Sequence, residues 1–285
     1  MDGPAGTPGS FPRTAAVVGL GVIGGSLALR LRAVGVRVLG VDVDPDALDL
    51  AARRGAIDAG SADLDCVAEA DLVIVATPLE LVAATAIAAA KRMRRSSVLT
   101  DVGSVKAPIV TAVHAALPEG VHFVGGHPMA GNEGQGMAAA SAELLDGRPF
   151  VLTPTALTAP EAVAAMQAFV VRLGMHPVIL DPVAHDEMVA QVSHLPYLVS
   201  MALHRAVAAD ARAIGGPAHE EMTRIARSPA QMWAAICRAN RDAILRALTR
   251  YEAELARLRR SVEDGAPEEG LIGGGEDRDT MGGRR

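Results

Sequence analysis

From residue 14 to about 180, short apolar runs rich in valine alternate with longer alanine-rich stretches. The runs are AAVVGLG, VRVLGVDV, DLVIVATP, SSVLTDV, VHFVGG, RPFVLTP and MHPVIL. Their continuous apolar character fits strands buried on both faces, as in a parallel sheet, and the stretches between them fit crossover helices. The pattern predicts an α/β domain over 13–180, a doubly wound, mostly parallel sheet. After Asp181 the strand signals stop, and helical spacing continues with few breakers to about Val262. The stretch Met188–Ala209, interrupted by Pro196, is apolar enough for burial on several sides. That predicts an all-helical domain over 181–262 which packs against a second copy, giving a homodimer.

The ends differ from this texture. Residues 1–12 are rich in glycine and proline, and 263–285 combine glycine with charge, so both read as disordered tails. The tail is also too short and polar to fold as a further domain. Over all 285 residues, 50% are hydrophobic and 21% charged, which excludes a mainly disordered chain. The most apolar stretch, 81–90, falls well short of the ~18 residues a membrane-spanning helix needs. The N-terminus lacks the basic start and apolar stretch of a secretory leader, so a cytoplasmic location is expected. Cys66 and Cys237 have no CxxC spacing and read as buried free thiols. A net charge of −6 and 2% aromatic residues offer neither a phosphate footprint nor a stacking surface, which argues against nucleic acid.

Gly19-Leu20-Gly21-Val22-Ile23-Gly24 reads GxGxxG, a common pattern made informative by its setting. It follows the apolar run Ala15–Val18 and opens a helical stretch over 23–34 that Gly35 closes. A second run, Val36–Val41, then ends in Asp42, eighteen residues past Gly24. Strand, glycine turn, helix, strand and acid in that order make a dinucleotide site. Without Cβ atoms, Gly19 and Gly21 let the backbone approach a pyrophosphate, whose charge meets free N–H groups at the helix start, and Gly24 allows close packing. Asp42 would accept hydrogen bonds from ribose hydroxyls and repel a 2′-phosphate, so NAD is expected rather than NADP. Asp44, before Pro45, suits the N-cap of the next helix. Ala76-Thr77-Pro78, at the carboxyl end of a strand, either lines the cofactor cleft or makes an ordinary turn.

Two further strand ends bring polar side chains to the same edge. SSVLTDVGSVK offers Asp101, Ser104 and Lys106, and VHFVGGHPMAG offers His127. Pro128 holds the backbone of His127 extended, and the neighbouring glycines leave room for a substrate. A neutral imidazole with a pKa near ~6.5 suits removal of an alcohol proton as hydride leaves. Ser104 is placed either to hydrogen-bond that alcohol or to cap the following helix. Asp101 and Lys106 orient the turn. The eight histidines form no convincing metal-ligand cluster, and no metal is expected.

GLGVIGGS, DVGSVK, GGHPMAGNEGQG, HDEMVAQVSHLPY and TRIARSPAQMW, in this order over roughly residues 14–255, resemble the prephenate/arogenate dehydrogenase family. The resemblance implies a Rossmann domain followed by a helical dimerisation domain, and NAD-dependent oxidative decarboxylation in tyrosine synthesis. It implies that His127 accepts a hydrogen bond from the substrate's ring hydroxyl, with Ser104 as its partner there. Glu133 resembles a residue that shapes or gates the site. His185, His194 and Arg224 match family positions at the substrate, Arg224 being similar to an arginine that binds a carboxylate. Trp233 matches a tryptophan near the site, reached across the dimer. Where family members commonly read SHLPH, this chain has Ser193-His194-Leu195-Pro196-Tyr197. A neutral phenol at Tyr197 in place of a histidine bears on whether prephenate, a keto acid, or arogenate, an amino acid, is preferred. β-Hydroxyacid dehydrogenases are a more distant alternative, but they use a lysine in the helical domain, and the only lysines here are Lys91 and Lys106. A non-catalytic NAD-sensing protein would not need His127 and Ser104 together.

Overall fold

A computed structural model describes residues 11–265; the rest of the two expected tails lies outside the described residues. The first part of the chain runs β1 (Thr14–Val18), α1 (Val22–Ala33), β2 (Arg37–Val41), α2 (Pro45–Arg53), β3 (Ala59–Ser61), β4 (Leu72–Val75), α3 (Leu79–Ala90), β5 (Val98–Asp101), α4 (Ala107–Ala116), β6 (His122–Pro128), β7 (Pro149–Thr153), α5 (Pro160–Arg172) and β8 (His176–Ile179). The strands form one sheet in the order β3-β2-β1-β4-β5-β6-β7-β8. All neighbours pair parallel except β6 and β7.

Both faces of this sheet are covered, which is why its central strands are apolar throughout. In β1, Ala15 and Val17 join a cluster with Leu27 and Leu31 of α1 and Phe169 of α5. The alternate residues Ala16 and Val18 join a second cluster with Val82 and Ala86 of α3 and Val113 of α4. Side chains of a strand point alternately up and down, so a strand between two helical layers has no polar face. Two strands depart from expectation. β3 is Ala-Gly-Ser and carries no apolar signal, and β8 is an edge strand whose Val178 and Ile179 are 37% and 43% exposed rather than buried.

The second part is helical: α6 (Pro182–Val189), a π-helical turn over Ala190–His194, α7 (Leu195–Ala206), α8 (Ala209–Arg212), α9 (Pro217–Thr223), α10 (Ala230–Ala239) and α11 (Arg241–Glu263). The wide turn sits where Pro196 enters the helix. A proline has no N–H for the carbonyl one turn back, and its ring crowds that carbonyl, so the ladder widens. The buried core of this part is small, built on Ala190, Ala243, Ile244 and Ala247. Among the described residues no helix is long and apolar enough to cross a membrane.

Packing differs from expectation in two smaller places. Phe11, assigned by sequence to the N-terminal tail, stacks on Phe169 with Arg172 over its ring, so the ordered chain starts before residue 13. Cys66 and Cys237 are free as expected but half-buried.

Candidate active site

Strand register brings the glycine turn and its acid to one edge. Val18 pairs with Val41 and Val75, and Val75 with Asp101, so Gly19, Asp42 and Ala76 follow at the same level. Asp42 accepts hydrogen bonds from the backbone N–H of Leu20 at 2.7 Å and of Asp44 at 3.0 Å, tying the end of β2 to the turn. Asp44 in turn caps α2 through the N–H of Asp46. Gly19 adopts φ +96°, and a Cβ there would meet the carbonyl of Ala76 at 2.6 Å. The turn itself therefore requires glycine at 19. A Cβ on Gly24 would run into the Gly19 carbonyl, which is the close packing expected of it.

The residues fit a dinucleotide on three independent grounds. Space is open around Gly21, where a Cβ would meet nothing within 4 Å. The helix α1, with Val22, Ile23 and Gly24 in its first turn, has no side-chain cap and no acid there, so its N–H donors and positive dipole end are uncovered. The buried hydroxyl of Thr77, between Ala76 and Pro78, has no hydrogen-bond partner.

β6 carries His127 beyond this edge. Its glycines do not make room for a ligand. A Cβ on Gly126 would meet the Asp101 carbonyl at 2.6 Å and the ring of Phe150 at 2.7 Å, so they serve close packing of β6. Asp101 and Lys106 are fully buried and form an ion pair. Lys106 Nζ donates to the Gly126 carbonyl at 2.8 Å, and Asp101 accepts from the Gly126 N–H at 3.2 Å. The strand is thus clamped one residue before His127.

Ser104 is half-buried beside this clamp, and it is not a helix cap. The first N–H groups of α4, those of Lys106 and Ala107, are received at 2.7 and 2.9 Å by the carboxylate of Asp186, which reaches over from α6. The Ser104 hydroxyl makes no hydrogen bond among the described residues and stays available.

His185 stands next to Asp186 with no exposed surface. Its Nδ1 lies 2.8 Å from Asp186 Oδ1, and its Nε2 lies 2.8 Å from Nδ1 of His127. Both ring nitrogens are thereby occupied, so His185 cannot touch a substrate; the contact implied by the resemblance is replaced by a position behind His127. Burial pushes the pKa of His127 well below its ordinary 6.5, and the nearby His185, Lys106 and His194 push the same way. The ring is held neutral at pH 7.

A cavity of about 320 Å³ opens beside His127. Met129, Ala130, Arg148, Val192 and Ser193 share its lining with His127. Arg148 brings a cation to the cavity without any local sequence signal, being a lone arginine before a strand. Glu133 and Arg224 pair with each other, tying the loop that continues from Met129 to the turn after α9, and neither lines the cavity.

His194 is buried, and burial lowers its pKa to about 4. Its Nδ1 is 3.2 Å from the amide nitrogen of Asn240, which makes Nδ1 the acceptor and leaves the hydrogen on Nε2. That Nε2 and the indole Nε1 of Trp233 are buried and have no acceptor. The two rings meet edge to face at 6.1 Å. Tyr197 stacks on Trp233 at 3.8 Å, nearly parallel. Trp233 meets His194 and Tyr197 from within its own chain.

An open α/β sheet that presents a glycine turn, an acid and a neutral imidazole along its carboxyl edge defines a nucleotide-binding dehydrogenase. Residues 26–180 match the family model for the prephenate dehydrogenase nucleotide-binding domain, and residues 181–272 that for the prephenate dehydrogenase dimerization domain. The chain belongs to the prephenate dehydrogenase family, and the protein is an oxidoreductase. A prephenate dehydrogenase of Bacillus subtilis is 33% identical over 261 residues, which span 88% of this chain and 70% of that one. The arogenate dehydrogenase structure from Synechocystis superposes with a TM-score of 0.81 at 30% identity, covering 94% of this chain and 99% of that one. Prephenate dehydrogenase from Aquifex aeolicus, solved in complex with hydroxyphenyl propionate and NAD+, gives 0.83 at 29% identity over 90% and 93%.

Proposed function

We propose that this protein catalyses the NAD-dependent oxidative decarboxylation of prephenate to 4-hydroxyphenylpyruvate, a step in tyrosine synthesis. The observation that carries this reading is a neutral imidazole, His127, bordering a cavity on the same sheet edge as a dinucleotide turn, in a chain of this family. NAD, when bound, accepts a hydride from C4 of the substrate ring. Gly21 and the uncovered start of α1 receive the pyrophosphate, with Leu20, Val22, Ile23 and Gly24 forming the turn around it. Asp42 receives the ribose hydroxyls, and Ala76, Thr77 and Pro78 line the cleft.

His127 takes the proton of the C4 hydroxyl at Nε2, the ring nitrogen not engaged by His185. Ser104 holds the same hydroxyl. Loss of the ring carboxylate as CO2 returns its electron pair to the ring, whose aromatisation drives the reaction, and the phenolate oxygen so formed takes the proton back from His127. The remaining carboxylate finds a cation in Arg224, once it releases Glu133, and a second in Arg148. His194 and Trp233 offer buried N–H groups that lack acceptors, fitting the oxygens of the side chain.

A second reading, arogenate to tyrosine, rests on Tyr197. This phenol is taken up in the stack on Trp233 and supplies no cation for a keto acid. Following NADH or NADPH formation with prephenate and arogenate in parallel, with NAD and with NADP, decides between them. NADH formation with prephenate supports the first reading, turnover of arogenate alone supports the second, and none with either refutes both.

The proposal extends to organisation. The nucleotide-binding part ends near residue 180, and the helical part from 181 pairs with a second copy. Met188, Val192, Met222, Met232 and Leu245 are all about half exposed or more on a helical part with a small core of its own, which supports that pairing. Such an enzyme works in the cytoplasm on a small-molecule substrate, without membrane or nucleic acid.

A further inference from the structure

The chain of contacts behind His127 has a direction. Asp186 receives the N–H groups of Lys106 and Ala107 at the start of α4, one on each carboxylate oxygen, and faces Nδ1 of His185. A carboxylate that accepts two backbone N–H groups and has no hydrogen of its own to give faces the ring as an acceptor, so the hydrogen between Asp186 and His185 sits on the ring. A neutral imidazole has one N–H, so His185 Nε2 carries a lone pair. The 2.8 Å contact to His127 Nδ1 then requires its hydrogen to come from His127. Asn240 holds the backbone of Asp186 by donating to its carbonyl at 2.7 Å.

We propose that Asp186 and His185 are positioning residues that fix the tautomer of His127, placing its hydrogen on Nδ1 and leaving a bare Nε2 toward the cavity. This rests on the reading of His127 as the base. With Nε2 protonated instead, the ring would present a hydrogen to the substrate hydroxyl and could not take its proton. A doubly protonated His185 would impose that wrong form by donating to His127 Nδ1, so the two cases are chemically distinct.

The full-length protein labelled with 15N-histidine distinguishes them by long-range 1H–15N NMR correlation at neutral pH, with His127 assigned from the signals lost in His127→Asn. The expected result is a protonated Nδ1 and a bare Nε2; a protonated Nε2 overturns the proposal, whatever the activity. Kinetics give the second test. His185→Leu should lower kcat about 10- to 100-fold, with KM for NAD held, as loss of an orienting partner does. His185→Gln, whose amide oxygen can accept from Nδ1–H, should recover most of that loss. A folded His185→Leu with wild-type kcat overturns the positioning role while leaving the base intact. Wild-type turnover in His127→Asn instead removes the base itself. Should His185→Leu not fold, the wild-type tautomer decides.

Discussion

Asp101 and Lys106 form an ion pair with no exposed surface on either side chain, and both also grip the backbone of Gly126. Burial lowers the Lys106 pKa, while the Asp101 charge works against that shift. Asp101→Ala would leave the ammonium buried without its counter-ion. Breaking such a pair costs about 3–5 kcal/mol, and urea unfolding should show a loss of that order. A loss under about 1 kcal/mol would mean the pair carries no structural load.

Acid should weaken the fold through its buried imidazoles. His194 titrates at about 4 in the folded protein against an ordinary 6.5, and His127 is shifted the same way. Between those values the unfolded chain binds more protons, so stability is full above pH 6.5 and falls as pH drops toward 4. For His194 alone the loss is on the order of 3 kcal/mol. Urea unfolding at neutral pH and near pH 4 measures it, and His194→Gln should flatten the dependence.

The acid limb of kcat/KM follows from the same environment. His127 faces His185, Lys106 and His194, and each opposes its protonation. The limb should therefore have its midpoint below pH 6.5, measured with prephenate at saturating NAD. A midpoint at or above 6.5 would contradict a base held neutral by burial.

Cofactor choice rests on one carboxylate. Asp42→Ala should raise KM for NAD and narrow the preference over NADP, because the repulsion of a 2′-phosphate goes with the charge. Unchanged selectivity in steady-state kinetics would remove Asp42 from that role.

The parts of this molecule legible in sequence are those set by near neighbours. β1 and β4 stand out because helices cover both their faces, and Asp42 and His127 stand out because each ends or follows such a run. β3 was hidden, since Ala59-Gly60-Ser61 pairs only with β2 and packs too little to need apolar side chains. Asp186 was hidden for another reason. It caps α4 from eighty residues away, and nothing local to a His-Asp pair announces a partner at that distance. Glu133 and Arg224 were singled out by resemblance alone, and their ion pair spans ninety-one residues.

The central step is transfer of the hydroxyl proton to the imidazole at position 127. Steady-state turnover of prephenate by His127→Asn, with NAD binding checked by fluorescence titration, tests it most directly. A fall in kcat of at least about two orders of magnitude with NAD affinity intact is the expected result. Near-normal turnover by the folded variant would contradict it.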